Sequence, residues 1–92
     1  MFKTLEELVF VIRKRKESLQ EKSYTRKLLN NKKLSIEKVK EEIGELIEAI
    51  EKDTNKVHES ADVLYHFIVL LEANNIKIED VITELKKRRQ KN

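Results

Sequence analysis

The sequence predicts an all-α fold, a small four-helix bundle-like domain, and three observations carry this. Proline is absent from the 92 residues and glycine occurs once, at Gly44, so the residues that punctuate most turns are nearly missing. Aromatic residues make up only 5% of the chain, too few for a sheet-rich protein, and the strong helix formers Leu, Glu and Lys dominate. Apolar residues recur every three or four positions through most of the chain, the period of an amphipathic helix.

The elements follow in order. Thr4-Leu-Glu-Glu7 fits a capping box, and Leu5, Leu8, Val9 and Ile12 continue at helical spacing, so a first helix is placed at about 4–21. Ser23–Asn31 is polar and broken and reads as a loop or a short helical turn. Ser35 is a suitable N-cap for a second helix running to Lys52, with Ile36, Val39, Ile43, Leu46 and Ile50 as its apolar stripe and Ile47 alongside. Asp53–Lys56 is a short link in which Asn55 caps a third helix at about 56–74. That helix is apolar nearly all round between Ala61 and Leu71, the signature of a central, buried element. Asn74-Asn75 ends it, and a last amphipathic helix spans about 78–90 through Ile78, Val81, Ile82 and Leu85. Residues 1–92 form one domain, with no repeat and no linker long enough to divide it.

Composition limits the function. With no cysteine, disulfides and thiolate metal sites are excluded, leaving hard-metal binding and self-association to support a small core. The net charge of +3 lies within a charged fraction of 40%. Nucleic-acid binders carry a stronger, clustered excess, so Arg13–Lys16 and Lys86–Lys91 read as solvated faces and no nucleic-acid partner is expected. Met1–Phe10 contains Glu6 and Glu7 and has no signal-peptide core. Ala61–Leu71 is too short to span a bilayer. The expectation is a cytoplasmic protein without a membrane partner.

Two acidic pairs stand out: Glu42-Ile-Gly-Glu45 on the second helix and Glu59-Ser-Ala-Asp62 on the third. Spacing of i, i+3 puts both members of a pair on one helix face, and a short antiparallel hairpin brings the faces together. Glu42 borders the apolar stripe of its helix, and Asp62 lies in the apolar run of the third. A carboxylate buried alone is costly and requires a partner or a cation. Clustered oxygen ligands suit Mg²⁺, with Mn²⁺ as the alternative. Such ions also bind phosphates and promote their hydrolysis. His66, one turn after Asp62, reads as a hydrogen-bond partner or core residue. Glu41 and Glu48 are acidic neighbours, Glu41 a candidate outer group.

Ser23-Tyr-Thr-Arg-Lys-Leu-Leu29, Lys38-Val-Lys-Glu-Glu42 and Glu59-Ser-Ala-Asp-Val-Leu-Tyr-His66, with the helical ends on either side, resemble the phosphoribosyl-ATP pyrophosphohydrolase family over nearly the whole chain. The resemblance implies a helical bundle that dimerises, with Mg²⁺ held by the catalytic acids Glu42, Glu45, Glu59 and Asp62. The third helix, apolar nearly all round, has few neighbours in so small a bundle, so the central helices are expected to pack in the dimer. It also implies an ATP-related nucleotide substrate: phosphoribosyl-ATP is hydrolysed to phosphoribosyl-AMP and pyrophosphate, the second step of histidine biosynthesis, by Mg-activated water attack at the α-phosphorus. Lys27 and Lys38 match family positions suited to phosphate contacts, as do Ser23, Tyr24 and Thr25. Lys40 stands where the family usually has glycine. Two rivals remain: a house-cleaning nucleoside triphosphate pyrophosphatase using the same acids, and a non-enzymatic helical interaction module.

Overall fold

The computed structural model describes residues 1–17 and 23–91. Its helices are α1 (Lys3–Glu17), α2 (Tyr24–Leu29), α3 (Lys32–Lys52), α4 (Lys56–Ala73) and α5 (Ile78–Lys91), with no strand among the described residues. The four long helices of the sequence reading are all present. The additional one, α2, is a single short element inside the segment read as a loop or short turn. Residues 18–21, the expected end of the first helix, lie outside the described residues.

A chain almost without glycine must turn by other means. Asp53, Asn55 and Asn75 take left-handed backbone conformations, at φ of 56°, 37° and 58°; Asn and Asp tolerate this region better than other side-chain-bearing residues. Beyond α3, Thr54 N–H donates to Ala49 C=O at 2.9 Å and Asp53 N–H to Ile50 C=O at 3.3 Å. Beyond α4, Ile76 N–H donates to Leu71 C=O at 2.9 Å and Asn75 N–H to Glu72 C=O at 3.2 Å. Both ends are Schellman motifs, which satisfy carbonyls that a helix terminus leaves open.

Three expected caps are corrected. α3 starts before Ser35: Asn31 is the N-cap, its Oδ1 accepting from Leu34 N–H at 3.0 Å. Ser35 is buried, and its Oγ donates to Leu28 C=O and Asn31 C=O, tying α3 to the end of α2. α1 starts at Lys3, with Glu6 N–H on Phe2 C=O, so Thr4 lies inside the first turn. Asn55 precedes α4, but its side chain makes no capping bond, because the left-handed backbone turns it away.

The core is built around the C-terminal half of α4. Val9 and Ile12 of α1, Leu28 and Leu29 of α2, and Ile68, Val69 and Ala73 of α4 form one buried cluster, with Leu5, Leu8, Leu34, Tyr65 and Ile78 packed against it. Full burial of such side chains stabilises by about 1.5–3 kcal/mol each. No residue of the N-terminal half of α4 is among the buried residues: Val57 and Leu64 are exposed there, and Phe67 is exposed just beyond it. Only half of the helix is therefore the buried element expected. On α3, Val39 and Ala49 face inward while Ile36, Ile43, Ile47 and Ile50 stay exposed, which splits the predicted stripe in two.

Candidate active site

The α3–α4 hairpin brings the two acidic pairs together. One ligand atom each from Glu42, Glu45 and Glu59 lie within 4.8 Å of one another, and so do those of His58, Glu59 and Asp62. Glu59 belongs to both groups and joins them. The groups converge because Glu42 and Glu45 lie in the middle of α3, while His58, Glu59 and Asp62 occupy the first two turns of α4, which runs back antiparallel.

Burial is uneven. Glu42 and Glu59 are half-buried, and one carboxylate oxygen of each, Oε2, is shut off from solvent with no hydrogen-bond partner among the described residues. Burial, then the charge of Glu45, raises the pKa of Glu42, with Asp62 adding to the effect and His66 opposing it. Burial followed by Glu45 raises Glu59 in the same way. Native structures rarely leave buried polar atoms unpaired, and a hard divalent ion would satisfy both oxygens. The donors, carboxylates with one imidazole, fit Mg²⁺ or Mn²⁺.

Asp62 departs from its expected setting. Its side chain is 40% exposed and faces His58, with Nε2 to Oδ2 at 3.4 Å, because the residues that α4 buries begin one turn later, at His66. The acid that the core does bury on α4 is Glu72, whose Oε2 accepts from Arg13 Nε at 3.1 Å. His58 was not singled out from the sequence. The available signal was its place beside Glu59 and one turn before Asp62.

The residues expected to meet the substrate lie on α2 and α3. Ser23 caps α2, its Oγ accepting from Arg26 N–H at 3.1 Å. Thr25 Oγ1 is hydrogen-bonded to the Tyr65 hydroxyl, and the Tyr24 hydroxyl to His66 Nε2 at 3.0 Å. Lys27 is exposed on α2. Lys38 donates to Glu41 at 3.2 Å, and its charge acts on Tyr24 and on Glu42. Glu48 pairs with Lys52 at 2.7 Å and also lines a cleft of about 170 Å³ with Glu45, Ala49, Thr54, Asn55 and Glu59.

The profile of one family, phosphoribosyl-ATP pyrophosphohydrolase, matches residues 5–89. The chain belongs to the phosphoribosyl-ATP pyrophosphohydrolase family. Among its relatives, the phosphoribosyl-ATP pyrophosphatase of Haloarcula marismortui is 43% identical over 92% of each chain. The phosphoribosyl-ATP pyrophosphatase of Clostridium novyi is 45% identical over 95% of this chain and 82% of its own. The histidine biosynthesis bifunctional protein HisIE of Pyrococcus furiosus is 42% identical over 94% of this chain, which spans 41% of that longer protein. The phosphoribosyl-ATP pyrophosphohydrolase assignment covers α1 to α5 and both acidic pairs. A non-enzymatic helical module has no support in these matches.

Proposed function

We propose that this protein hydrolyses phosphoribosyl-ATP to phosphoribosyl-AMP and pyrophosphate, the second step towards histidine. Family membership over nearly the whole chain supports the substrate. The single structural observation that carries the chemistry is the pair of orphaned carboxylate oxygens, Glu42 Oε2 and Glu59 Oε2, inside a cluster of acids. Glu42, Glu45, Glu59 and Asp62 would hold Mg²⁺, or Mn²⁺ in its place, with His58 adjoining. When bound, the ion neutralises charge on the leaving pyrophosphate and lowers the pKa of the attacking water. In the reaction a P–O bond forms at the α-phosphorus and the α–β anhydride bond breaks. Lys38 beside the cluster and Lys27 on α2 supply cations for the substrate phosphates.

The test is pyrophosphate release from phosphoribosyl-ATP, ATP and dCTP, each with Mg²⁺. Release chiefly from phosphoribosyl-ATP is expected. Faster release from dCTP or ATP would assign the protein to the house-cleaning pyrophosphatases, and release from none would refute the enzyme reading.

The active form is proposed to be a homodimer or higher homo-oligomer. Ile43, Ile47 and Ile50 form an exposed apolar row on α3, Leu64 and Phe67 are exposed on α4, and Ile82 and Leu85 on α5. The chain exposes 7320 Å², against about 5,600 Å² for a folded monomer of its mass. A second copy of this chain is the occupant that these faces suit.

A further inference from the structure

His66 is 8% exposed, and both its ring nitrogens have partners. Nδ1 lies 2.8 Å from the backbone carbonyl oxygen of Asp62. A carbonyl can only accept, so Nδ1 carries a proton. In the neutral ring Nε2 is then an acceptor. The Tyr24 hydroxyl, 3.0 Å from Nε2, donates its one proton there. The chain of donors runs from Tyr24 through His66 to Asp62 C=O and starts on the residue that borders the acid cluster. Edge-to-face contacts of His66 with Tyr24 at 5.8 Å and with Tyr65 at 4.9 Å hold the rings at steep angles, and the Thr25–Tyr65 bond pins the next residue of α2 to α4.

A phenol whose proton is committed has only lone pairs left to offer. Tyr24 is 47% exposed, and Lys38 and Glu42 are both close enough to act on it electrostatically. We propose that His66 is a positioning residue that fixes Tyr24 Oη as an acceptor towards the nucleotide, so that Tyr24 reads a donor on the substrate, a ribose hydroxyl or an amine, and not a phosphate oxygen. Phosphate oxygens carry only lone pairs and would meet the lone pairs of Oη. This rests on the proposed reaction and changes the role that Tyr24 would have as a phosphate contact.

Turnover of phosphoribosyl-ATP is measured for the wild type, Tyr24→Phe, His66→Asn, His66→Gln and Tyr24→Phe/His66→Asn, with inhibition by inorganic pyrophosphate. Asparagine retains a donor near the Nδ1 position and leaves Tyr24 without an acceptor, whereas glutamine places an acceptor near Nε2. Tyr24→Phe and His66→Asn should each raise KM about fivefold, as loss of one neutral hydrogen bond does, with kcat changed less than twofold. The double variant should be no worse than either single one, His66→Gln should recover most of the loss, and pyrophosphate inhibition should stay constant. Multiplying KM effects, or weaker pyrophosphate inhibition in Tyr24→Phe, would overturn the proposal. Failure of the wild type to turn over phosphoribosyl-ATP would instead refute the reaction. In that event the ¹⁵N spectrum of His66 still decides the geometry: a protonated Nδ1, with an Nε2 signal that shifts in Tyr24→Phe, is required, and a protonated Nε2 contradicts it.

Discussion

Glu42 and Glu59 each hold one oxygen away from water with no hydrogen-bond partner among the described residues, and the pKa of each is raised above 4.5 by burial and by Glu45. The sign of the effect on stability follows. Below pH about 4.5 the folded and unfolded states both hold these protons, and neither acid matters. As the pH rises through the raised values, the folded state alone carries unfavourable charge, so stability is lost. Metal-free protein is therefore expected to gain in Tm on acidification from pH 7 towards 5. Glu42→Gln/Glu59→Gln should gain less, start from a higher Tm at pH 7 and have lost hydrolysis. Circular dichroism melts in chelator at fixed ionic strength check this, and equal gains in both proteins would contradict it. The acid cluster was legible in the sequence because i, i+3 spacing fixes which residues share a face. The burial of each acid was not, since it depends on which helices cover that face. Asp62 lies half in solvent, whereas Glu72 is buried against Arg13, a residue 59 positions away.

At the scale of elements, Arg13 clamps three helices. It donates from α1 to Glu72 on α4 and to Glu79 on α5, and Lys16 adds bonds to Glu72 C=O at 2.6 Å and to Asn75 Oδ1 at 2.7 Å. Arg13→Ala leaves the buried Glu72 carboxylate without its partner, which should cost about 2 kcal/mol in a urea melt; a change within error would mean that solvent replaces the guanidinium. The hydrogen bonds from Arg13 hold the Glu79 carboxyl down at about 2. Its contribution is thus present above pH 4.5 and lost as the pH falls from 4.5 to about 2. Helix existence was readable from the apolar period, but boundaries were decided by tertiary contacts. Asn31 and Ser35 are both competent caps; Ser35 is taken up by the Leu28 carbonyl, which leaves capping to Asn31. α2 is too short for a periodic signal and is held by Leu28 and Leu29 in the core.

The whole molecule is more open than a chain of this length needs to be. Its radius of gyration is 14.6 Å, against about 12 Å for a compact domain of 92 residues. Apolar residues stand exposed on α3, α4 and α5, the surface that a second copy is proposed to cover. Sedimentation at low micromolar concentration should give a mass of at least twice the 11.0 kDa chain, and a stable monomer would refute the self-association. The nearly all-apolar third helix points to self-association, although the exposed apolar surface is spread over three helices and not one. The central claim, that the acids of α3 and α4 form a cation site, is tested most directly by Tm with and without Mg²⁺ at matched ionic strength. An ion that binds only the folded state stabilises it by about 2.7 kcal/mol at a hundredfold excess over its Kd, or about 14 °C for a domain of this size. Wild type should gain on that order, and Glu42→Gln/Glu45→Gln should gain little. Equal gains in the two proteins would show that the acids are surface residues and contradict the account.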